Sequence, residues 1–326
     1  MPTFFNAQQP SWRLGRSGAL LLALLLVYVV WGTTYFAIGI ALQSMPPLWM
    51  TAIRFLCAGG IMLLVALWQG HRLPTLLQWR NAALVGALMV FGAMNCVGLA
   101  QKLGIGSGLM ATVVTTMPMW LALWTRWGGE RVPLTSWVGL ALGVIGALLL
   151  ALEGDFSATW QGALFAFGAP LCWSVGSYAS RKLELPAPAM AASAQWLVGG
   201  LLCLVTAAWV EPASALAQVT AKSWAAWVYL VVFGTLIALN AYLWLLQNAS
   251  AALAGSYSFV NPAVALLVGV VLGGELLTGW VFAALPLIAA ALVCIMYGPA
   301  VLVFWQRSVA PWLRGVGTSG GTSRQA

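Results

Sequence analysis

Ten apolar runs, each long enough to cross a bilayer as a helix, occupy most of this 326-residue chain. They fall roughly on residues 18–40, 48–68, 81–101, 105–126, 134–152, 159–180, 189–209, 224–246, 252–272 and 279–300. At about 20 residues per span they take up roughly 200 residues, leaving short tails and connections of about ten residues each. No soluble domain fits in that remainder. Charged residues are only 6% of the chain, against a soluble-protein norm of roughly 25%, too few to cover a surface in water. The pattern excludes a water-soluble globular enzyme and predicts an all-α integral membrane protein whose surrounding partner is the lipid bilayer.

The net charge of +8 does not imply nucleic acid, because the basic residues stand singly or in pairs between apolar runs and form no basic face. Cys57, Cys96, Cys172, Cys203 and Cys294 lie inside apolar runs without CxxC spacing, and His71 has no second histidine to share a metal with. No metal site and no cofactor are expected. The first apolar run is too long for a signal peptide and ends in Trp31-Gly32-Thr33-Thr34-Tyr35 rather than a small-residue cleavage site, so the mature chain is expected to begin near Met1.

Lys and Arg set the orientation, because positive connections stay cytoplasmic. One side receives Arg13, Arg16, Arg72, Arg80, Arg126, Arg131, Arg181, Lys182, Arg307, Arg314 and Arg324, the other only Lys102 and Lys222, with Arg54 inside a span. Both termini are therefore expected in the cytoplasm.

The second half of the chain repeats the first about 142 to 145 residues later. Trp31 and Tyr35 correspond to Trp173 and Tyr178, Phe91-Gly92 and Asn95 to Phe233-Gly234 and Asn240, Pro118 to Pro262, and Gly128-Gly129-Glu130 to Gly273-Gly274-Glu275. Five spans per half force the second copy to enter the membrane from the opposite side. Ten transmembrane helices arranged as two inverted five-helix repeats are the architecture of a secondary transporter, with its site near the midplane between the repeats.

Trp31-Gly32-Thr33-Thr34-Tyr35, Arg54-Phe55, Pro118, Asn261-Pro262 and the two Gly-Gly-Glu elements resemble the EamA-type members of the drug/metabolite transporter superfamily, over roughly residues 18–300. The resemblance implies a first five-helix repeat over 18–152 and a second over 153–300, with cytoplasmic tails 1–17 and 301–326. It further implies an exporter of small organic metabolites (amino acids or related compounds, or drugs) in a cell membrane, the bacterial inner membrane for a chain of this kind. No obligate protein partner is expected.

Pro118 and Pro262 each remove a backbone donor inside corresponding spans, and paired interruptions point to a midplane binding site. Thr115, before Pro118, and Tyr257 and Asn261, before Pro262, can hydrogen-bond a solute, although hydroxyls can also bond back to their own helix. Asn95, Gln101, Gln195 and Asn240 are harder to hide in lipid, and at least two are expected to face the cavity. Trp31, Tyr35, Trp173 and Tyr178 recur across the repeat, and their rings suit an aromatic lining, with Thr34 of the first motif a further cavity candidate. Arg54 is costly inside a span, on the order of 2.5–3.5 kcal/mol at a helix centre. It reads either as an outer-leaflet anchor that snorkels or as a cavity residue able to hold a substrate carboxylate. Glu130 and Glu275 begin the next helix in each half and read as helix caps or as gates at the two mouths.

No acidic residue lies inside a span, so proton coupling and facilitated export both stay open. The competing classes are an intramembrane enzyme, which would need titratable residues facing one another in the membrane, and a non-transporting receptor. The orientation gives a direct expectation. A cysteine placed at Ser319 in a cysteine-free chain should resist a membrane-impermeant thiol reagent added outside intact cells and react after the membrane is opened; labelling from outside would reverse the topology.

Overall fold

Short polar or proline signals mark where the apolar runs turn into helices. The computed structural model describes residues 16–105, 110, 113–151, 159–273 and 279–298, and among them the regular structure is helical. Helix α1 spans Arg16–Ala41. Pro47 sits in the first turn of α2 (Pro47–Trp68), where its missing N–H costs nothing. A reciprocal capping box of Thr75 and Gln78 starts α3 (Leu76–Lys102). Then follow α4 (Met117–Trp127) and α5 (Leu134–Ala151). The Thr159 hydroxyl accepts from Gly162 N at the start of α6 (Trp160–Lys182), and Pro188 opens α7 (Pro188–Val210). Thr220 caps α8 (Ala221–Asn248) and Ser250 caps the short α9 (Ala251–Gly255), ahead of α10 (Tyr257–Gly273) and α11 (Gly279–Met296). By length and composition α1, α2, α3, α7 and α8 are long and apolar enough to cross a membrane.

Helix α2 packs along α7 and α5 along α11, while α1 lies against α8 and α10, and α6 against α3 and α4. The connections gather at two ends of the bundle. At one end, Ser44 bonds Ser223, and Thr159 bonds the carbonyl of Leu103. There Glu211 accepts from the backbone N–H groups of Leu48 and Trp49, so a carboxylate from the far end of α7 caps the N-terminus of α2. At the opposite end, Lys182 pairs with Glu130, Arg181 donates to the carbonyls of Leu246 and Ala249 near the end of α8, and Asn81 donates to the carbonyl of Glu184.

Four interruptions break the regular helices among the described residues. Residues Ala87–Met94 of α3 and Leu230–Ile237 of α8 are wide π-helical turns, at equivalent positions in the two halves. A turn at Thr115–Thr116 precedes α4, so Pro118 stands in the first turn of a new helix, as the sequence predicts. The matching break in the second half falls at Ser256, six residues before Pro262, and α10 runs on through that proline. The expectation of equivalent breaks at the two prolines is therefore corrected: the hydroxyl of Ser256 bonds Tyr28 Oη at 2.6 Å and the carbonyl of Leu253 at 2.7 Å, which holds the break at that residue.

Helices α3 and α7 touch at Gly86, where a Cβ would run into the backbone carbonyl of Gln195. Gly86→Val is expected to cost about 1–3 kcal/mol by forcing these backbones apart, read as a lowered Tm of the detergent-solubilised protein. Gly39→Ala, with open space around the added methyl, should leave the Tm unchanged or raise it slightly.

Candidate functional site

A cavity of about 70 Å³ lies where α1, α2, α3 and the start of α4 of the first half meet α6, α8 and α10 of the second. One wall is aromatic. The Trp31 ring stands edge-on to Trp173 (centroids 5.5 Å apart) and to Tyr257 (4.7 Å), and Tyr242 fills the corner behind them at 5.1 Å from Trp31. Such offset and edge contacts suit the ring quadrupoles and lock four large side chains into one cluster. The polar atoms of the cluster are only partly used. Tyr242 Oη bonds Ser177 Oγ at 2.8 Å, whereas the buried Trp173 Nε1 has no hydrogen-bond partner among the described residues.

The second wall is set by the π turn of α8. A wide turn frees carbonyls from the α-helical pattern, and inside an apolar bundle these need donors. Trp31 Nε1 donates to the carbonyl of Gly234 at 3.0 Å, and Thr235 Oγ1 donates to the carbonyl of Leu230 at 3.0 Å. The Thr235 hydroxyl in turn accepts from Arg54 Nε at 2.7 Å. Gly234 allows this approach, because a Cβ there would lie 3.1 Å from an Arg54 terminal nitrogen. Arg54 is 5% exposed, lines the cavity and has no carboxylate within ion-pair distance among the described residues. Of the two readings of Arg54, the geometry has the inward one: the guanidinium turns to the centre of the bundle rather than snorkelling to its end.

The predicted site residues divide. Trp31, Thr34, Tyr35, Arg54, Trp173, Tyr257 and Asn261 come together on the cavity. The Thr34 hydroxyl bonds back to the Trp31 carbonyl. With its amide turned to satisfy its surroundings, Asn261 donates to the carbonyls of Tyr257 (3.0 Å) and Tyr28 (3.2 Å). The cavity wall does not include Asn95, Thr115, Pro118, Tyr178, Asn240 or Pro262. Asn95 is buried with its amide nitrogen on Cys203 Sγ at 3.1 Å, and Thr115 is buried in the turn before α4. Pro118 packs on Gly255, and Pro262 is enclosed within α10. Tyr178 lies against Gly128, with Lys182 Nζ 6.0 Å from its ring centre. At least two of the four amides Asn95, Gln101, Gln195 and Asn240 were expected to face the cavity, and none lines it; Gln195 and Asn240 line a second cavity instead.

Glu130 bonds Lys182 at the end of the bundle, and this hydrogen bond holds its carboxyl below the usual range while raising the Lys182 ammonium. The Glu130 contribution is complete above the ordinary carboxylate pKa and disappears only as pH falls through the lowered value. The Lys182 contribution is complete below the ordinary lysine pKa and disappears as pH rises through the raised one. The pair is thus ionised throughout neutral pH. Glu275 lies outside the described residues.

Sequence reasoning did not reach the two π turns, nor Thr235 as the partner of Arg54. The repeated Phe91-Gly92 and Phe233-Gly234 were the available signal, since both pairs fall inside the wide turns.

The EamA-like transporter family matches residues 17–152 and again residues 160–297. The chain belongs to this family. Among similar proteins, the "Uncharacterized inner membrane transporter YedA" of Escherichia coli K12 is 37% identical over 276 residues, covering 85% of this chain and 90% of that one. The "Probable amino-acid metabolite efflux pump" of Salmonella typhimurium is 28% identical over 286 residues, covering 84% of this chain and 93% of its own. A protein of known crystal structure shares the fold at a TM-score of 0.72 and 23% identity, covering 86% of this chain and 98% of that one. Family membership makes this chain a membrane transporter of the drug/metabolite superfamily and not an enzyme.

The contact between Arg54 and Thr235 should behave as a coupled pair. In a double-mutant cycle of Arg54→Met and Thr235→Val, unfolding in detergent is expected to give a coupling of about 1.5–3 kcal/mol, as for a charge-assisted hydrogen bond; additive losses would mean that the two side chains act independently.

Proposed function

We propose that this EamA-family transporter exports small organic metabolites, namely amino acids or related compounds, or drugs, by alternating access of two inverted five-helix repeats. One observation carries the reading: the cavity is built from both halves of the chain and sets one unpaired guanidinium against a wall of rings. A carboxylate would neutralise Arg54 through the donors not used on Thr235, and an apolar or aromatic part would lie against Trp31, Trp173 and Tyr257. At about 70 Å³ the cavity holds only a few waters, well below the roughly 300–1,000 Å³ of ligand clefts. On this reading the halves separate on one side to load a solute.

The helix pairings support the inverted arrangement. Exchanging the halves carries α1 on α8 and α10 into α6 on α3 and α4, and leaves α2 on α7 and α5 on α11 as self-paired contacts. On this reading the ten spans divide into repeats over 18–152 and 153–300, with both short tails in the cytoplasm. The excess of Lys and Arg supports that orientation. The names of the Escherichia coli and Salmonella relatives support placement in the bacterial inner membrane and outward transport. No carboxylate lines the cavity among the described residues, and proton coupling and facilitated export both stay open.

The test is efflux of labelled aromatic and aliphatic amino acids, and of aromatic amphiphiles, from liposomes holding the purified protein, with and without a pH gradient. Protein-dependent loss of a carboxylate-bearing solute is expected, falling at least about tenfold in Arg54→Gln. A folded protein that moves no solute of a broad panel would favour the receptor reading.

A further inference from the structure

A second cavity, of about 430 Å³, opens at the end of the bundle where α6 passes into α7, and runs inward between α7 and α8. It reaches from Asn248, at the end of α8, to Asn240, about 12 Å deeper along the helix at about 1.5 Å per residue. Three of its lining amides turn a nitrogen onto a backbone carbonyl. Asn240 Nδ2 donates to the carbonyl of Leu236 at 2.8 Å, Gln247 Nε2 to the carbonyl of Ser180 at 2.8 Å, and Asn248 Nδ2 to the carbonyl of Trp244 at 2.9 Å. A carbonyl can only accept, so each amide must present its nitrogen there and its oxygen elsewhere. None of the three oxygens has a donor among the described residues, and none is sealed from solvent space. Gln195 lies on the wall between them, 3% exposed and without a hydrogen-bond partner among the described residues. At the mouth, Glu184 keeps one carboxylate oxygen on Gln78 and leaves the other free.

We infer that this cavity is a binding site for a protonated organic amine, with the ammonium held by the amide oxygens and the Glu184 carboxylate and the carbon skeleton lying along Trp244, Leu243 and Leu183. An ammonium brings up to three donors and no acceptor, which complements an acceptor-rich lining, and the Trp244 ring adds a face attractive to cations. Two of the basic side chains at the same end are engaged elsewhere. Arg181 is turned onto the carbonyls of Leu246 and Ala249, and Lys182 is paired with Glu130. The volume suits a molecule with one ring or a short chain. The central cavity, whose charge is that of Arg54, has the opposite preference, so the two sites separate solutes by charge.

This inference stands apart from the transport reading, because binding is measured without a membrane and its failure is distinguishable from failure of efflux. The experiment is isothermal titration of the full chain in detergent at pH 7 with benzylammonium, benzyl alcohol and benzoate. Benzylammonium is expected to bind at least about tenfold more tightly than the other two, and to weaken at least about fivefold in Glu184→Gln and in Gln195→Leu. Tm checks that both variants are folded. Equal binding of amine and alcohol, preference for benzoate, or benzylammonium binding unchanged in both folded variants would overturn the assignment.

Discussion

A backbone carbonyl released inside an apolar bundle must find a donor within the protein, and the centre of this transporter is arranged around that requirement. The π turn of α8 frees the carbonyls of Leu230 and Gly234 at the depth where the two halves meet. Thr235 satisfies one and Trp31 the other. Because Trp31 belongs to the first half, repairing the helix also joins the halves. The same bond fixes the indole plane against which Trp173, Tyr242 and Tyr257 pack. Arg54 then bonds the hydroxyl that Thr235 has already committed to Leu230, so one interrupted turn orients both the rings and the charge of the cavity.

The contacts that close the bundle are of a kind that can be exchanged. Among the described residues, single hydrogen bonds such as those of Trp31 with Gly234 and Tyr28 with Ser256, rather than buried ion pairs, join the halves around the cavity. A typical hydrogen bond of this sort contributes about 0.5–1.5 kcal/mol net, an amount that differential contacts of a solute can offset. Helix α2 packs along α7 and α5 along α11, and in the first of these contacts Ser193 Oγ donates to the Gly59 carbonyl, again a single hydrogen bond. The small cavity is consistent with one conformation of such a cycle.

Much of this architecture was legible in the sequence, because lipid imposes a simple rule on composition. Most apolar runs match described helices to within a few residues, while the runs at 105–126 and 252–272 are each interrupted, and Pro118 marked the start of α4. The recurrence of Trp31 and Trp173 pointed to the aromatic wall. What was hidden depends on local geometry that residue type does not determine. The π turns contain ordinary apolar residues, so nothing in their hydropathy separates them from α-helix. The break at Ser256 is fixed by a tyrosine far away in the chain, Tyr28. Asn95 and Asn240 were expected in the central cavity because amides are costly in lipid, yet burial against Cys203 and against the Leu236 carbonyl satisfies them in part elsewhere.

The central claim is that the halves must part at each end in turn. It is tested most directly where Ser44 of the first half meets Ser223 of the second, their hydroxyls 2.8 Å apart. With the native cysteines replaced, Ser44→Cys and Ser223→Cys would be joined by oxidation and the protein assayed for efflux in liposomes before and after reduction. The account predicts that the oxidised protein is inactive and that reductant restores efflux to the level of the unlinked chain. Undiminished efflux through fully cross-linked protein would contradict it.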